Sequence, residues 1–516
     1  MRGLPDGLRA SCLAQTAAAN IGRQDARRTF AKTLPMTRCR IEMLTSAAMA
    51  SKQSGMSMKT TLAAIILCSS LLSRGTGLAP VVQIEEDVYT YTNANNGAGP
   101  MWCSGSTSLV RVGDDVFASG LETVPDAKPL NNCRWVLFRR GSKRWEQVRV
   151  DDGRTREPSP LAAFLDGRVF LSANPTLGSV PQPNGGPARP EVFQFTTSNL
   201  KSVPLSLKPA WQGTPPFAEH SYRSFAADGE AGELVLFQNI GYTHAEWTFR
   251  DRAGNWSAQG QLKWPWGAEY DKPEPIRVCY PNVALRDRAV HFFGVSDVVE
   301  PYKAWREFKR ELTGQHWDYD FRRLFYTWTP DISGKPFAEW IEIASRDKTC
   351  GWVSPGDLWL APNGEVHLLW SERAIDERLR AKFFPEARQS HTLNYAVVRE
   401  GKVVRRRALM ESTEDKPDII GSAGRFQVTP DHRLFVVCYA SGTEAGGRRV
   451  AENRIIEILP DGSAGQPVRL PLAKPFTSYF TTTVRAGSPP SRILEMLGPR
   501  EGAGNTISYA SVRLLP

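Results

Sequence analysis

The 516-residue chain carries 64 Lys and Arg against 54 Asp and Glu, a formal charge of +10. The excess belongs to one end: residues 1–79 hold 11 basic and 3 acidic side chains, and the rest stand near balance at 53 to 51. A body so close to neutral has no surplus charge with which to displace counterions, which excludes nucleic acid as a partner.

Within the first 79 residues, Met58-Lys59 precedes an apolar run at 62–72 (LAAIILCSSLL) and then Gly75, Gly77 and Ala79. A positive start, a short apolar run and small residues at the exit describe a secretory signal peptide over about residues 56–79. The run is too short for a membrane span of about 20 residues. The expectation is a non-globular leader over 1–79, a folded domain over 80–516, and a secreted or periplasmic protein. No later segment is apolar enough for stable membrane insertion, and a monomer is expected. Five cysteines lie beyond the leader, at 103, 133, 279, 350 and 438, with no CxxC pair among them. Export permits disulfides. A Cys103–Cys133 bridge and buried free thiols both stay open.

From residue 81 onward the chain divides into units of strand, turn and strand. Residues 88–92 (VYTYT) form an isolated strand before the first unit. A turn-flanked strand pair then recurs at 106–117 (STSLVRVGDDVF), 159–170 (SPLAAFLDGRVF), 224–238, 280–292 (YPNVALRDRAVHF), 354–368 (SPGDLWLAPNGEVHL), 422–435 (SAGRFQVTPDHRLF) and 479–494. β-Branched and aromatic strands bounded by Gly, Asp and Pro turns are the signature of antiparallel sheet. Seven recurrences predict an all-β fold, a seven-bladed β-propeller of four-stranded antiparallel blades. The last unit, 476–516, offers three clear strands, so residues 88–92 are expected to supply its fourth and close the ring. Two insertions interrupt the pattern, 300–323 and 372–389. The first is read as a lid over the centre or a loop on the adjacent blade, the second as a short helix.

In a propeller the inner strands begin on one face, and the loops between second and third strands return to it. Those positions hold Trp102, Glu157, His220, Tyr222, Arg223, Arg277, Tyr280, Trp352 and Tyr479, with His244, Glu246, His316 and Tyr319 in returning loops. The third unit is densest. Neutral imidazole takes or gives a proton near neutrality, Tyr can donate one, and Arg can clamp a carboxylate with two parallel hydrogen bonds. His220, Tyr222, Arg223, His244 and Tyr280 are therefore the candidate catalytic set. His220 is the proton acceptor, Tyr222 or Tyr280 the donor, Arg223 or Arg277 the clamp, and His244 faces His220 to orient it. Trp102, Glu157, Glu246, Arg277, His316, Tyr319, Trp352 and Tyr479 are the candidate substrate-binding set. His291 and His367 fall in second strands and are read as structural; His432 is read as surface. No compact metal signature occurs, and neither a metal nor a cofactor is expected.

The segment Phe249-Arg250-Asp251-Arg252-Ala253-Gly254-Asn255-Trp256 keeps the Asp-to-Trp spacing of an Asp box (SxDxGxxW), with its Gly one place late and no Ser; residues 140–145 are a more degenerate copy. On this basis, with the seven units, the chain resembles the sialidase-like, BNR-repeat propeller superfamily of secreted carbohydrate-active proteins. The family's FRIP arginine signature is absent. The resemblance implies a glycan-active propeller, a polysaccharide lyase or glycoside hydrolase, with an acidic polysaccharide or oligosaccharide as partner. The alternative of another class is a non-catalytic propeller that binds a glycan or protein. Converging His, Tyr and Arg around an open funnel would mark the lyase, paired carboxylates from Glu157, Glu246 or Asp357 the hydrolase, and a filled funnel the binder.

Overall fold

The computed structural model describes residues 78–515, apart from 126, 128–130, 179–184, 316–317, 445 and 478. The expected signal peptide and the candidate His316 lie outside the described residues.

Seven antiparallel sheets form the ring. Blade 1 is Leu109–Val112, Asp115–Thr123, Cys133–Arg140 and Trp145–Val150; blade 2 is Leu161–Ala163, Arg168–Ala173, Glu191–Thr196 and Leu205–Leu207. Blade 3 is Arg223–Asp228, Glu233–Ile240, His244–Arg250 and Trp256–Lys263; blade 4 is Val278–Arg286, Ala289–Ser296, Arg323–Thr329 and Ile341–Ser345. Blade 5 is Trp352–Leu360, Val366–Arg373, Ser390–Arg399 and Lys402–Thr413; blade 6 is Ile420–Val428, Leu434–Thr443, Arg449–Ile458 and Val468–Arg469.

Blade 7 is assembled from both ends of the domain. Ile493–Gly498 pairs with Thr506–Leu515, and Thr506–Leu515 pairs in turn with Ala79–Thr90. The closing strand thus begins nine residues before the expected 88–92 segment, and Ala79 itself opposes Leu515. The inner position of this blade is held by a segment that meets its neighbour through isolated bridges, Thr481 to Leu497 and Phe476 to Arg500, so three of its strands are regular.

Blades stack because both faces of each middle strand are apolar. In blade 3, Val235 and Phe237 enter the cluster shared with blade 4, while Leu234 and Leu236 enter the one shared with blade 2. Period-two alternation sends neighbours to opposite faces, so a strand buried on both reads as a continuous apolar run. Each blade junction is filled by such a cluster. Each fully buried Leu, Val or Phe contributes about 1.5–3 kcal/mol. The Asp-box-like turn joins the third and fourth strands of blade 3. The Asp251 carboxylate accepts from Asn255 N at 2.9 Å, and Gly254 takes φ 90°, open to glycine without strain.

Helix α1 (Lys303–Thr313) ends at Gly314 in the left-handed conformation, and α2 (Glu377–Phe383) starts on an Asp376 side chain that accepts from Arg378 N. The first insertion is not a lid over the centre. α1 packs on α2 of the adjacent blade through Trp305–Phe384 and Phe308–Phe383 ring contacts of 5.4 and 5.6 Å. Beneath them a buried ionic network locks the two insertions together. Arg322 grips both Glu300 oxygens at 3.0 and 3.1 Å, and Lys309 Nζ donates to Glu300 at 2.6 Å and faces Asp376 at 3.7 Å. A Cys103–Cys133 disulfide does not form; Cys133 is a free thiol, as are Cys279, Cys350 and Cys438. Cys133 is buried with Ala94 and Leu121, whereas Cys103 packs against the cluster between blades 4 and 5.

Candidate functional site

The inner strands begin on the face to which the second-to-third-strand loops return, here the top face. Its centre is filled. Residues 102–106 cross the axis on their way to blade 1 and are clamped from several blades. Arg485 Nη1 donates to Gly105 O at 2.5 Å, Arg425 Nη2 to Ser104 O at 3.3 Å, and Ser106 Oγ to Arg223 O at 2.9 Å. A side chain at position 105 would overlap the carbonyls of Tyr280 and Pro281, so only glycine fits.

Trp102, carried by this segment, lies on a polar aromatic cluster. Its ring centroid is 5.6 Å from that of His220, 5.1 Å from Tyr222 and 6.2 Å from Tyr280. The hydroxyls of Tyr222 and Tyr280 are 3.3 Å apart. Tyr280 is placed by local strain. A bulge between Cys279 and Asn282 puts it at φ 49°, a conformation bulky residues rarely adopt and which costs about 1–3 kcal/mol.

His220 sits under Trp102 with its side chain 6% exposed. Its Nδ1 lies between Glu157 Oε1, at 3.1 Å, and the Arg156 guanidinium, which also ion-pairs Glu157. Arg156 further donates to the Asn96 carbonyl, and the Ser221 amide donates to Glu157. Nε2 makes no hydrogen bond to any described residue. Burial first, and Arg156 second, push the imidazole down to about 4, so it is neutral at physiological pH.

Arg277 forms the far wall. It donates to the Asp297 backbone carbonyl at 3.1 Å and to its carboxylate at 2.9 Å. Its guanidinium lies 3.8 Å from the ring centre of Tyr242 and 5.4 Å from that of Tyr222. Tyr242 and Tyr319 share a hydroxyl contact of 3.1 Å. Nearer the axis, Arg223 is buried with Nη2 on Pro158 O, while its Nε and Nη1 find no partner among the described residues. Burial lowers its pKa and takes that of Arg425 down to about 10, with Asp357 opposing and Arg485 adding to the shift in the latter.

The structure therefore brings together His220, Tyr222, Tyr280, Trp102, Glu157, Arg277 and Tyr319, with Trp352 packed against the same core. It separates His244 from His220. His244 donates toward Glu246 at 3.0 Å within blade 3, Glu246 also accepts from Gln261 at 2.8 Å, and the two histidines share no partner. Their sequence proximity misleads because His244 starts a third strand and His220 precedes a first. Arg223 points at blade 2 and lies behind the cluster rather than in it. Tyr479 lies on blade 7 with its carbonyl beside Gly498. His291 and His367 bond Tyr326 and Tyr395 hydroxyls, each at 2.6 Å, inside blades 4 and 5. Tyr242 was missed by the sequence reading; the only signal was an aromatic at the tip of a top loop, between Gly241 and Thr243. Arg156, which stands with Glu157 at the start of the second inner strand, joins the cluster although it is not in either candidate set.

Fold and site together define a seven-bladed propeller whose top centre holds a buried His–Tyr–Arg cluster. No family model matches the chain, and no curated protein matches it. Three solved propellers illustrate its structural neighbours. A PL25 ulvan lyase bound to -[GlcA(1-4)Rha3S]- has a TM-score of 0.44 at 9% identity, covering 84% of this chain and 95% of its own. The Penicillium chrysogenum α-L-arabinanase with arabinobiose has 0.40 at 12%, covering 84% and 98%. The Fusarium graminearum GH93 α-L-arabinofuranosidase with arabinobiose has 0.38 at 11%, covering 68% and 91%.

Proposed function

We propose that this chain is an exported, glycan-active propeller that cleaves an acidic polysaccharide by β-elimination at the His220 cluster. The observation that carries the reading is a neutral His220 with Nε2 unbonded among the described residues, set beside the Tyr222–Tyr280 hydroxyl pair. Nε2 takes the proton from the carbon bearing the uronate carboxylate. The released electron pair forms a double bond to the neighbouring carbon, whose bond to the glycosidic oxygen breaks. That oxygen takes a proton from a tyrosine hydroxyl. Arg277, with Nη1 unbonded among the described residues, neutralises the carboxylate.

Charge supports an anionic ligand. Five arginines surround the hub (156, 223, 277, 425 and 485) against three carboxylates, Glu157, Asp297 and Asp357, all of them buried. Hydrolysis is less well served, since Glu157, Glu246 and Asp357 are buried and engaged by hydrogen bonds from their neighbours, whereas a hydrolase needs two carboxylates facing its substrate.

One observation favours the second reading, a binding protein without catalysis: the axis is filled and Trp102, only 7% exposed, covers His220. A panel of acidic polysaccharides, followed for unsaturated-uronate absorbance and for retention of protein, separates the two. Absorbance that rises with the wild type and is lost in His220→Ala supports elimination. Retention without new absorbance establishes the binder, and neither signal overturns both.

A further inference from the structure

Two exposed aromatic side chains, and no others, appear among the large exposed apolar residues of the described chain: Trp266, 58% exposed, and Tyr242, 39% exposed. Both lie on the top face of blade 3, at its junction with blade 4. Tyr242 tips the loop before His244–Arg250, and His244 pairs with Lys263 at the end of the outer strand, three residues before Trp266. A small hairpin then pairs Trp266 with Pro275, and Pro265 O accepts from Ile276 N at 2.8 Å. The next residue is Arg277, whose guanidinium stacks on Tyr242. The two rings thus flank one short backbone segment, Ile276-Arg277, that runs directly into the cluster.

Leaving a tryptophan face in water forgoes burial that its neighbour Trp264, 6% exposed, obtains. The hairpin holds Trp266 out while Trp264 packs beneath it with Trp340, at 6.2 Å between rings. Sugar rings present a flat C–H face that such an aromatic covers, with the hydroxyl edge left to water.

We propose that Trp266 and Tyr242 form an accessory carbohydrate subsite, a track outside the His220 cluster that holds further sugar units of an extended chain. The inference rests on the glycan reading above and deepens it, since it makes the ligand a polymer gripped over several units. Trp266 is a binding residue at this track and takes no part in bond cleavage.

The test is the dependence of affinity on chain length, measured by titration calorimetry with size-fractionated acidic oligosaccharides, from disaccharide to dodecasaccharide. In the wild type the longest fragments bind at least about tenfold more tightly than the disaccharide, the size of an aromatic contact of about 1.4 kcal/mol. In Trp266→Ala that ratio collapses toward unity, while Trp266→Phe restores part of it; thermal midpoints confirm that the variants are folded. A ratio unchanged in Trp266→Ala overturns the subsite and leaves the function standing. A wild type that binds no fragment of any length overturns both.

Discussion

The Nδ1 atom of His220 lies 3.1 Å from Oε1 of Glu157, a carboxylate with no exposed side-chain surface. This contact, with Arg156 on the other side, commits one ring nitrogen to the protein and leaves Nε2 as the one that can meet a ligand. A single blade junction thereby fixes the orientation of the proposed base.

Replacing His220 with Ala is expected to lower turnover on an acidic glycan by about 10²–10⁴-fold, the usual contribution of a general base. The lost hydrogen bond and packing should cost about 1–2 kcal/mol of stability. His432→Ala, in an exposed turn, should change neither quantity. Steady-state kinetics and thermal denaturation of both variants provide the check; full turnover in folded His220→Ala would end the catalytic assignment.

The pH profile carries its own signature. With His220 pushed down to about 4, the base is neutral throughout the physiological range and becomes protonated only as pH falls through that value. kcat/KM should show no acid limb from this group between pH 8 and pH 5. A limb near 6.5, the ordinary histidine value, would show that the imidazole is solvated in the working enzyme.

Glu157→Gln leaves the Arg156 guanidinium buried without its counter-charge. Breaking one partner of a buried pair typically costs about 3–5 kcal/mol. Urea denaturation should show that loss. A variant as stable as the wild type would mean that water reaches Arg156.

Lys309→Met tests the clasp between the two insertions. Glu300 keeps Arg322 but loses a charge-assisted bond, and Asp376 and Asp318 lose a facing cation, for about 3 kcal/mol. Lys303→Ala, which breaks an exposed pair with Glu307 on the same helix, should stay within about 0.5 kcal/mol. Equal effects of the two would show that burial does not govern the network.

Glu495, buried on blade 7 near Arg111, is pushed up to about 7 by loss of solvent. The folded state therefore holds a proton that the unfolded state, with its ordinary value of 4.5, releases. Its contribution is complete below pH 4.5 and is lost as pH rises through 7, an effect on the order of 3 kcal/mol. Glu495→Gln should flatten that part of the stability profile between pH 5 and pH 8, read from denaturation midpoints at each pH.

Much of the fold was legible because a propeller repeats its local pattern. Runs such as Leu234–Phe237 sit between turn residues, and apolar on both faces they can only be strands between two neighbours. The hub was not legible, because its contacts join residues far apart along the chain. Arg485 meets Asp357 across 128 positions and Gly105 across 380, and nothing local marks either pairing. Gly105, where the backbone passes hard against Tyr280, carries no local pattern that marks the contact. His220 and Tyr222 were singled out because they lead into an inner strand, Arg223–Asp228. The partnership of His220 with Glu157 needed the blade junction.

The pairing of Ala79–Thr90 with Thr506–Leu515 has a consequence for biogenesis. A nascent chain carries Ala79–Thr90 for more than four hundred residues before its partner exists, so the circle stays unlatched until Thr506–Leu515 has been made. Long-range pairings of this kind form late and slowly. Deleting Thr506–Leu515 would orphan both Ala79–Thr90 and Ile493–Gly498, leaving a horseshoe with two raw sheet edges able to recruit other chains. Thr506–Leu515 reads as a plain strand, yet it is the latch on which the whole circle depends.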